Sequence, residues 1–206
     1  MSARFIRITP DLPLLGEVDE ESRIASVPAG RTTKGMYFAE LVARLPPGRV
    51  EHVWPLLREP PRHRTYQPFL DYPFADVLRW LHAVARHQHP RVSLLEGMRL
   101  LGRDTVKVFT RSPAGRVVST VPRDVRETLL KMPELWTVTD PGHRVSATSA
   151  AGESAVRFEI DGFEGWIDCG LIGTLEQIVL GHRLEPAVDL ALLSERSAEL
   201  VVRWSR

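Results

Sequence analysis

Between Pro73 and Pro90 the residues Phe74, Val77, Leu78, Leu81, Val84 and Ala85 recur at helical spacing and predict a helix with one apolar stripe. Proline suits its first turn and also ends it. The stretch Ser93-Leu-Leu-Glu96 follows as a capping box, in which a hydroxyl and a carboxylate each satisfy a free backbone N–H. It predicts a second helix carrying Leu94, Leu95, Met98, Leu101, Val108 and Phe109. Upstream, Gly35 to Leu45 reads as a helix stopped by Pro46-Pro47-Gly48, and Val50 to Glu59 as one disturbed by Pro55. Ser112-Pro113 reads as a further cap, and Pro122 to Met132 as a helix with Asp124 near its positive end.

The period changes near Leu135. His143–Ala150 and Ser154–Asp161 read as paired strands around an Ala151-Gly152-Glu153 turn, with Val156, Phe158 and Ile160 alternating with Arg157, Glu159 and Asp161. Residues 167–180 are predicted helical, with Gly181 as the stop. Two strands follow, patterned by Val188, Leu190 and Leu192 and by Leu200, Val202 and Trp204. The expected class is α+β: a helical N-terminal half packed on a four-stranded antiparallel sheet, β-β-α-β-β, in the C-terminal half. Residues 1–33 carry a short Ile6/Ile8 strand and then Pro10, Pro13, Gly16, Pro28 and Gly30, and read as an extended N-terminal arm. Residues 34–206 read as a single α+β domain.

Composition narrows the function classes. A formal charge of +1 from 27 basic and 26 acidic residues provides no field for nucleic acid or an anionic membrane. Cys169 is the only cysteine, which leaves no internal disulfide and no multi-cysteine zinc site. Its apolar, glycine-flanked setting reads as buried and inert. No leader pattern and no apolar run of membrane-spanning length occur, so a cytoplasmic location is expected.

Candidate chemistry is sparse. His82, His87 and His89 crowd one stretch, but His82 and His89 lie about 10 Å apart along a helix axis and cannot grip one ion there. His87 and His89 read as cations on the last turn, whereas His82 borders the apolar stripe. Arg111 and Arg116 flank the Ser112 cap, where a helix N-terminus and guanidinium groups suit a carboxylate or phosphate. Arg103 follows Gly102 with the same chemistry, and Trp166 is placed to wall a pocket. Asp161, Glu164 and Asp168 miss the spacing of a calcium loop and read as a solvated turn. No nucleotide-binding glycine motif or nucleophile elbow is present, and no enzyme is expected.

Lys34-Gly-Met-Tyr-Phe38, Phe69-Leu-Asp-Tyr-Pro73, Leu101-Gly-Arg103, Phe109-Thr-Arg-Ser-Pro-Ala-Gly115 and Val202-Arg-Trp204 stand in an order and spacing that resembles a Myxococcales-restricted family of uncharacterised proteins, over roughly residues 23–206. That resemblance implies no catalytic residues. More distantly, the layout is similar to the haem nitric-oxide/oxygen-binding superfamily, with its vinyl-reductase-type and TRAPP-like relatives. This implies a non-enzymatic sensor domain for a small apolar or anionic organic ligand; the chemistry of the residues themselves makes His82, Arg103, Arg111, Arg116 and Trp166 the expected contacts. The alternative is a protein-protein interaction module working as a homodimer or with a partner protein. Phe109 to Gly115 departs from the superfamily's Tyr-x-Ser-x-Arg haem-propionate motif. No cofactor is therefore expected, with His82 the one residue placed to serve as an axial haem ligand.

Overall fold

A computed structural model describes residues 4–111, 124–139, 142–163, 165–194 and 196–206, without the side chains of 108–111 and 137–139. The predicted Ser112–Pro113 cap and the first residues of the helix expected from Pro122 lie outside the described residues.

The elements run β1 (Ile6–Ile8), α1 (Glu20–Ala25), β2 (Thr32–Lys34), α2 (Gly35–Ala43), α3 (Pro47–Val53), β3 (Asp71–Pro73), α4 (Phe74–Gln88), α5 (Leu94–Arg111), α6 (Val125–Thr139), β4 (Arg144–Thr148), β5 (Ala155–Asp161), α7 (Gly170–Gly181), β6 (Glu185–Leu192) and β7 (Ser197–Ser205). Short 3-10 turns occupy Trp54–Leu56 and Arg62–Arg64. Pro55 thus ends the helix predicted over 50–59 early, because its ring cannot continue the hydrogen-bond ladder.

The sheet is antiparallel, in the order β1-β6-β7-β5-β4. It has five strands rather than the expected four, because the arm supplies β1 at the β6 edge, with Ile6 opposite Leu190 and Ile8 opposite Val188. The arm is also not extended throughout: α1 forms behind an Asp19 cap whose carboxylate accepts the Ser22 N–H at 2.9 Å. Its last residues pair with β3 as a two-stranded ribbon.

Two apolar clusters organise the chain. One joins the inward sheet face (Val156, Phe158, Val188, Leu200, Val202) to α6 and α7. The other gathers α2, α4 and the start of α5 around Phe38, Trp54, Leu78 and Trp80. Leu14 and Trp166 pack against both. The outward sheet face is polar, tied by Arg7 and Arg203 to Asp189 and by Arg157 to Glu199. Arg7 is the first cause that holds the Asp189 carboxyl below its ordinary range, and Arg203 adds to it.

Candidate functional site

The sequence places α5 and α7 together through glycine. A Cβ on Gly173 would lie 1.8 Å from the Arg99 carbonyl oxygen, and one on Gly102 would lie 2.0 Å from that of Gly170. Only residues without side chains let two helix backbones approach this closely. At the crossing sits a buried ionic network. Arg99, 0% exposed, donates to both carboxylate oxygens of Glu176, also 0% exposed, with Nε to Oε2 at 2.9 Å. Arg103 adds two bonds to Glu176 Oε2, at 3.0 and 2.9 Å.

The same network fastens the arm. Arg99 donates to the Thr9 and Leu12 carbonyls at 2.8 Å each. Glu96 Oε2 accepts the Leu14 N–H at 2.7 Å, while Ser93 Oγ accepts the Glu96 N–H at 3.1 Å. The capping box is therefore half realised: Ser93 caps the helix, and Glu96 turns outward to the arm instead of back to Ser93. Arg103, a predicted ligand contact, has its Nε and Nη2 engaged by Glu176.

His82 also serves α1. Its ring is buried, and Nδ1 lies 3.2 Å from Glu20 Oε2, off the line of a good hydrogen bond. Arg86 donates to the other Glu20 oxygen. The His82 ring is the largest influence holding the Glu20 carboxyl down to about 2; burial opposes it and Arg86 assists. One turn along α1, Arg23 reaches the Gly165 carbonyl at 3.1 Å and grips Asp168 at 2.8 and 2.5 Å. Asp168 is thus an ion-pair partner of α1, and Glu164 lies outside the described residues.

Trp166 stands in the turn before α7, where its ring covers Gly170; a Cβ there would lie 2.4 Å from Trp166 Cε3. Phe163 lies 5.8 Å away between ring centroids, and His143 stacks on Phe163 at 3.7 Å. Trp166 Nε1 is buried without a hydrogen-bond partner among the described residues. Cys169 is buried at 1% exposure, and burial, the largest cause, pushes its thiol well above the ordinary range.

The three predicted contacts whose side chains are described sit in different places. Arg103 belongs to the α5–α7 network, His82 to the α1–α4 seam and Trp166 to the junction of the two clusters. Arg111 is the last residue of α5, its side chain outside the described residues, and Arg116 lies wholly outside them. Sequence reasoning missed Arg99, Glu96, Glu176, Glu20 and Arg23. The available signal was a charge set within an apolar face: Glu176 follows Leu175 and precedes Ile178 and Val179, all in a helix buried on nearly every side. Asp76 is likewise buried and accepts the Arg58 and Glu59 N–H groups at 2.8 and 3.1 Å.

A family profile described as "Protein of unknown function (DUF2378)" matches residues 27–205. The chain belongs to the DUF2378 family. No protein of curated function matches it. Among solved structures, this DUF2378 chain is similar to the Fe(II) unliganded H-NOX protein from K. algicida, with 13% identity and a TM-score of 0.66, covering 84% of this chain and 97% of that one. It is similar too to the I5F mutant of T. tengcongensis H-NOX, at 17% identity and TM-score 0.61 over 84% and 95% of the two chains. An oxygen-binding H-NOX domain related to soluble guanylate cyclases, solved as its oxygen complex, matches at 16% identity and TM-score 0.61 over 84% and 93%. The fold is therefore H-NOX-like.

In this DUF2378 chain His82, the residue placed to serve as an axial haem ligand, lies in the α1–α4 seam, its ring 4% exposed and its Nδ1 facing Glu20. Two hollows, of about 200 and about 280 Å³, lie at the α4–α5 turn (Ala85, Arg86, His89) and beside the arm (Val27, Arg31, Arg58, Asp71); His82 lines neither. Among the described residues no cluster of three His, Cys, Asp or Glu side chains is arranged to hold a metal ion. No described helix is long and apolar enough to cross a membrane.

Proposed function

We propose that this chain is a non-enzymatic protein-protein interaction module built on an H-NOX-like fold. One observation carries the reading: the region between helices and sheet is occupied by the chain's own groups. Phe158, Leu171, Leu175 and Leu200 are wholly buried there. The α5–α7 crossing is closed by glycine contacts and sealed by the Arg99–Glu176 pair. A ligand site needs a concave volume with a few converging polar groups, and here the polar groups at the crossing converge on one another. With its interior filled, such a fold acts through its outer surface.

The small-molecule sensor reading is supported by the H-NOX-like fold and by the buried Trp166 Nε1 without a partner among the described residues. A buried donor of this kind calls for an acceptor. Native and denaturing mass spectrometry on protein purified without additives separates the two. The module gives the bare chain mass, or twice it, under native conditions and takes up no stoichiometric haem on hemin titration. Excess native mass lost on denaturation, or a saturable one-to-one Soret band, overturns the proposal in favour of the sensor.

A further inference from the structure

Building on the interaction reading, we propose that the turn carrying Phe69 and Leu70 is the docking surface, and that its partner is an acidic protein segment bearing apolar side chains. Phe69 is 84% exposed, Leu70 58% and Met36 52%. They form one patch, since the Gly35 N–H donates to the Leu70 carbonyl at 2.9 Å and the Met36 N–H to that of Pro68 at 3.1 Å. Isolated exposed leucines are ordinary on a surface, but a contiguous group with an outward phenylalanine marks an interaction site.

The patch is held rigid from beneath. Tyr66 stacks on Phe38 with ring centroids 4.4 Å apart, and its hydroxyl accepts Trp80 Nε1–H at 2.8 Å. Tyr72 Oη accepts the Gln67 N–H at 2.9 Å. Gly35 lets the turn sit directly on α2, where a Cβ would lie 2.1 Å from the Gln67 carbonyl oxygen. A well-seated turn aiming apolar groups at solvent spends little ordering entropy on binding.

Charge selects the partner. The segment leading into the turn holds Arg58, Arg62 and His63, all exposed. Arg62 and His63 have no side-chain partner among the described residues. Arg64 is paired with Glu51, and Lys34 with Asp71, so these add no net charge. Glu59 is the single acidic residue between Arg58 and Leu70. Phe69 follows Arg62 by seven positions, at most about 25 Å of chain, so a partner helix of about five turns spans both features.

The test is selection of a random-peptide display library on the full chain, followed by binding of the enriched peptides to F69S/L70S, R62E and wild type. All altered side chains are exposed, so the variants keep the wild-type melting temperature. Enriched peptides rich in Asp, Glu and apolar residues are expected, with binding weakened about tenfold or more by F69S/L70S and several-fold by R62E. Neutral or basic enriched peptides, no enrichment, or undiminished binding to F69S/L70S overturns the proposal. So does binding to phosphatidylglycerol vesicles that is lost in F69S/L70S while the peptides bind both proteins alike. Peptide binding that survives in F69S/L70S moves the surface elsewhere and leaves the interaction reading standing, whereas a retained small molecule in native mass spectra removes that reading itself.

Discussion

Glu176→Ala tests the α5–α7 network most directly. The substitution leaves the Arg99 guanidinium, 0% exposed, without the carboxylate that meets its Nε and Nη2. Its remaining partners are the Thr9 and Leu12 carbonyls and Glu96 Oε2 at 3.2 Å. Breaking a buried pair from one side costs about 3–5 kcal/mol, because the residual charge stays away from water. Arg103 also loses Glu176, but at 16% side-chain exposure it can turn toward solvent and adds little. For a domain of this size each kcal/mol moves the melting temperature by about 2–4 °C, so a fall of about 6–20 °C is expected. Replacing both partners at once, Arg99→Met with Glu176→Leu, removes these two charges together; the Thr9 and Leu12 carbonyls then lose their donor, at about 1–3 kcal/mol for each that stays buried, and Glu96 keeps the Leu14 N–H but loses Arg99. The double variant should therefore be more stable than the sum of the two singles by at least about 1.5 kcal/mol. Urea unfolding of wild type, Arg99→Met, Glu176→Leu and the double variant measures the cycle, with Glu176→Ala read beside it. A Glu176→Ala cost below about 1 kcal/mol with a wild-type circular dichroism spectrum, or strict additivity of the two sites, refutes a buried charge pair at this crossing.

Three further outcomes follow from other parts of the molecule. Glu20, held down to about 2 by His82 and Arg86, contributes stability above its ordinary value near 4.5 and loses it as pH falls from there toward 2. With its side chain 30% exposed, screening reduces this to about 1 kcal/mol, and Glu20→Gln should flatten that part of the urea-midpoint profile against pH. Gly173→Ala drives a methyl group to 1.8 Å from the Arg99 carbonyl oxygen and should cost about 3 kcal/mol or more in chemical unfolding; a neutral result means the two helices are not in backbone contact. Tyr66→Phe strands the buried Trp80 Nε1–H, bonded at 2.8 Å in the native chain, and should lower stability by about 1–3 kcal/mol with a change in tryptophan fluorescence.

Regular local pattern was legible where one face of an element is wet. α4, with Phe74, Val77, Leu78, Val84 and Ala85 buried, and β5, with Val156, Phe158 and Ile160 buried, read directly from the chain. The fifth strand was not legible in its partnering: Ile6 to Ile8 is too short to announce a partner, and its pairing with β6 spans the length of the chain. The burial of Glu176 was not legible, because the face of α7 that carries it is covered by α5, a helix more than sixty positions earlier in the chain. Of the candidate contacts, His82 was read beside the apolar stripe and is buried, but its neighbour Glu20 lies in the arm, 62 positions earlier, where no local rule could connect them.

The sequence by itself determined the α+β class, the order of most helices and strands, the burial of Cys169 and the family of the chain. The class and the elements rest on periodicity, caps and turn residues, which act over one or two turns of chain, whereas the family rests on a resemblance carried by short motifs in a fixed order. The tertiary structure alone decided that the arm closes the sheet edge, that Arg99 and Glu176 neutralise each other at a glycine crossing, and that Phe69 is left outside. Each of these depends on which distant surfaces meet. Desolvation makes a buried charge find its partner wherever the chain brings one, and no pattern within a single element encodes that meeting.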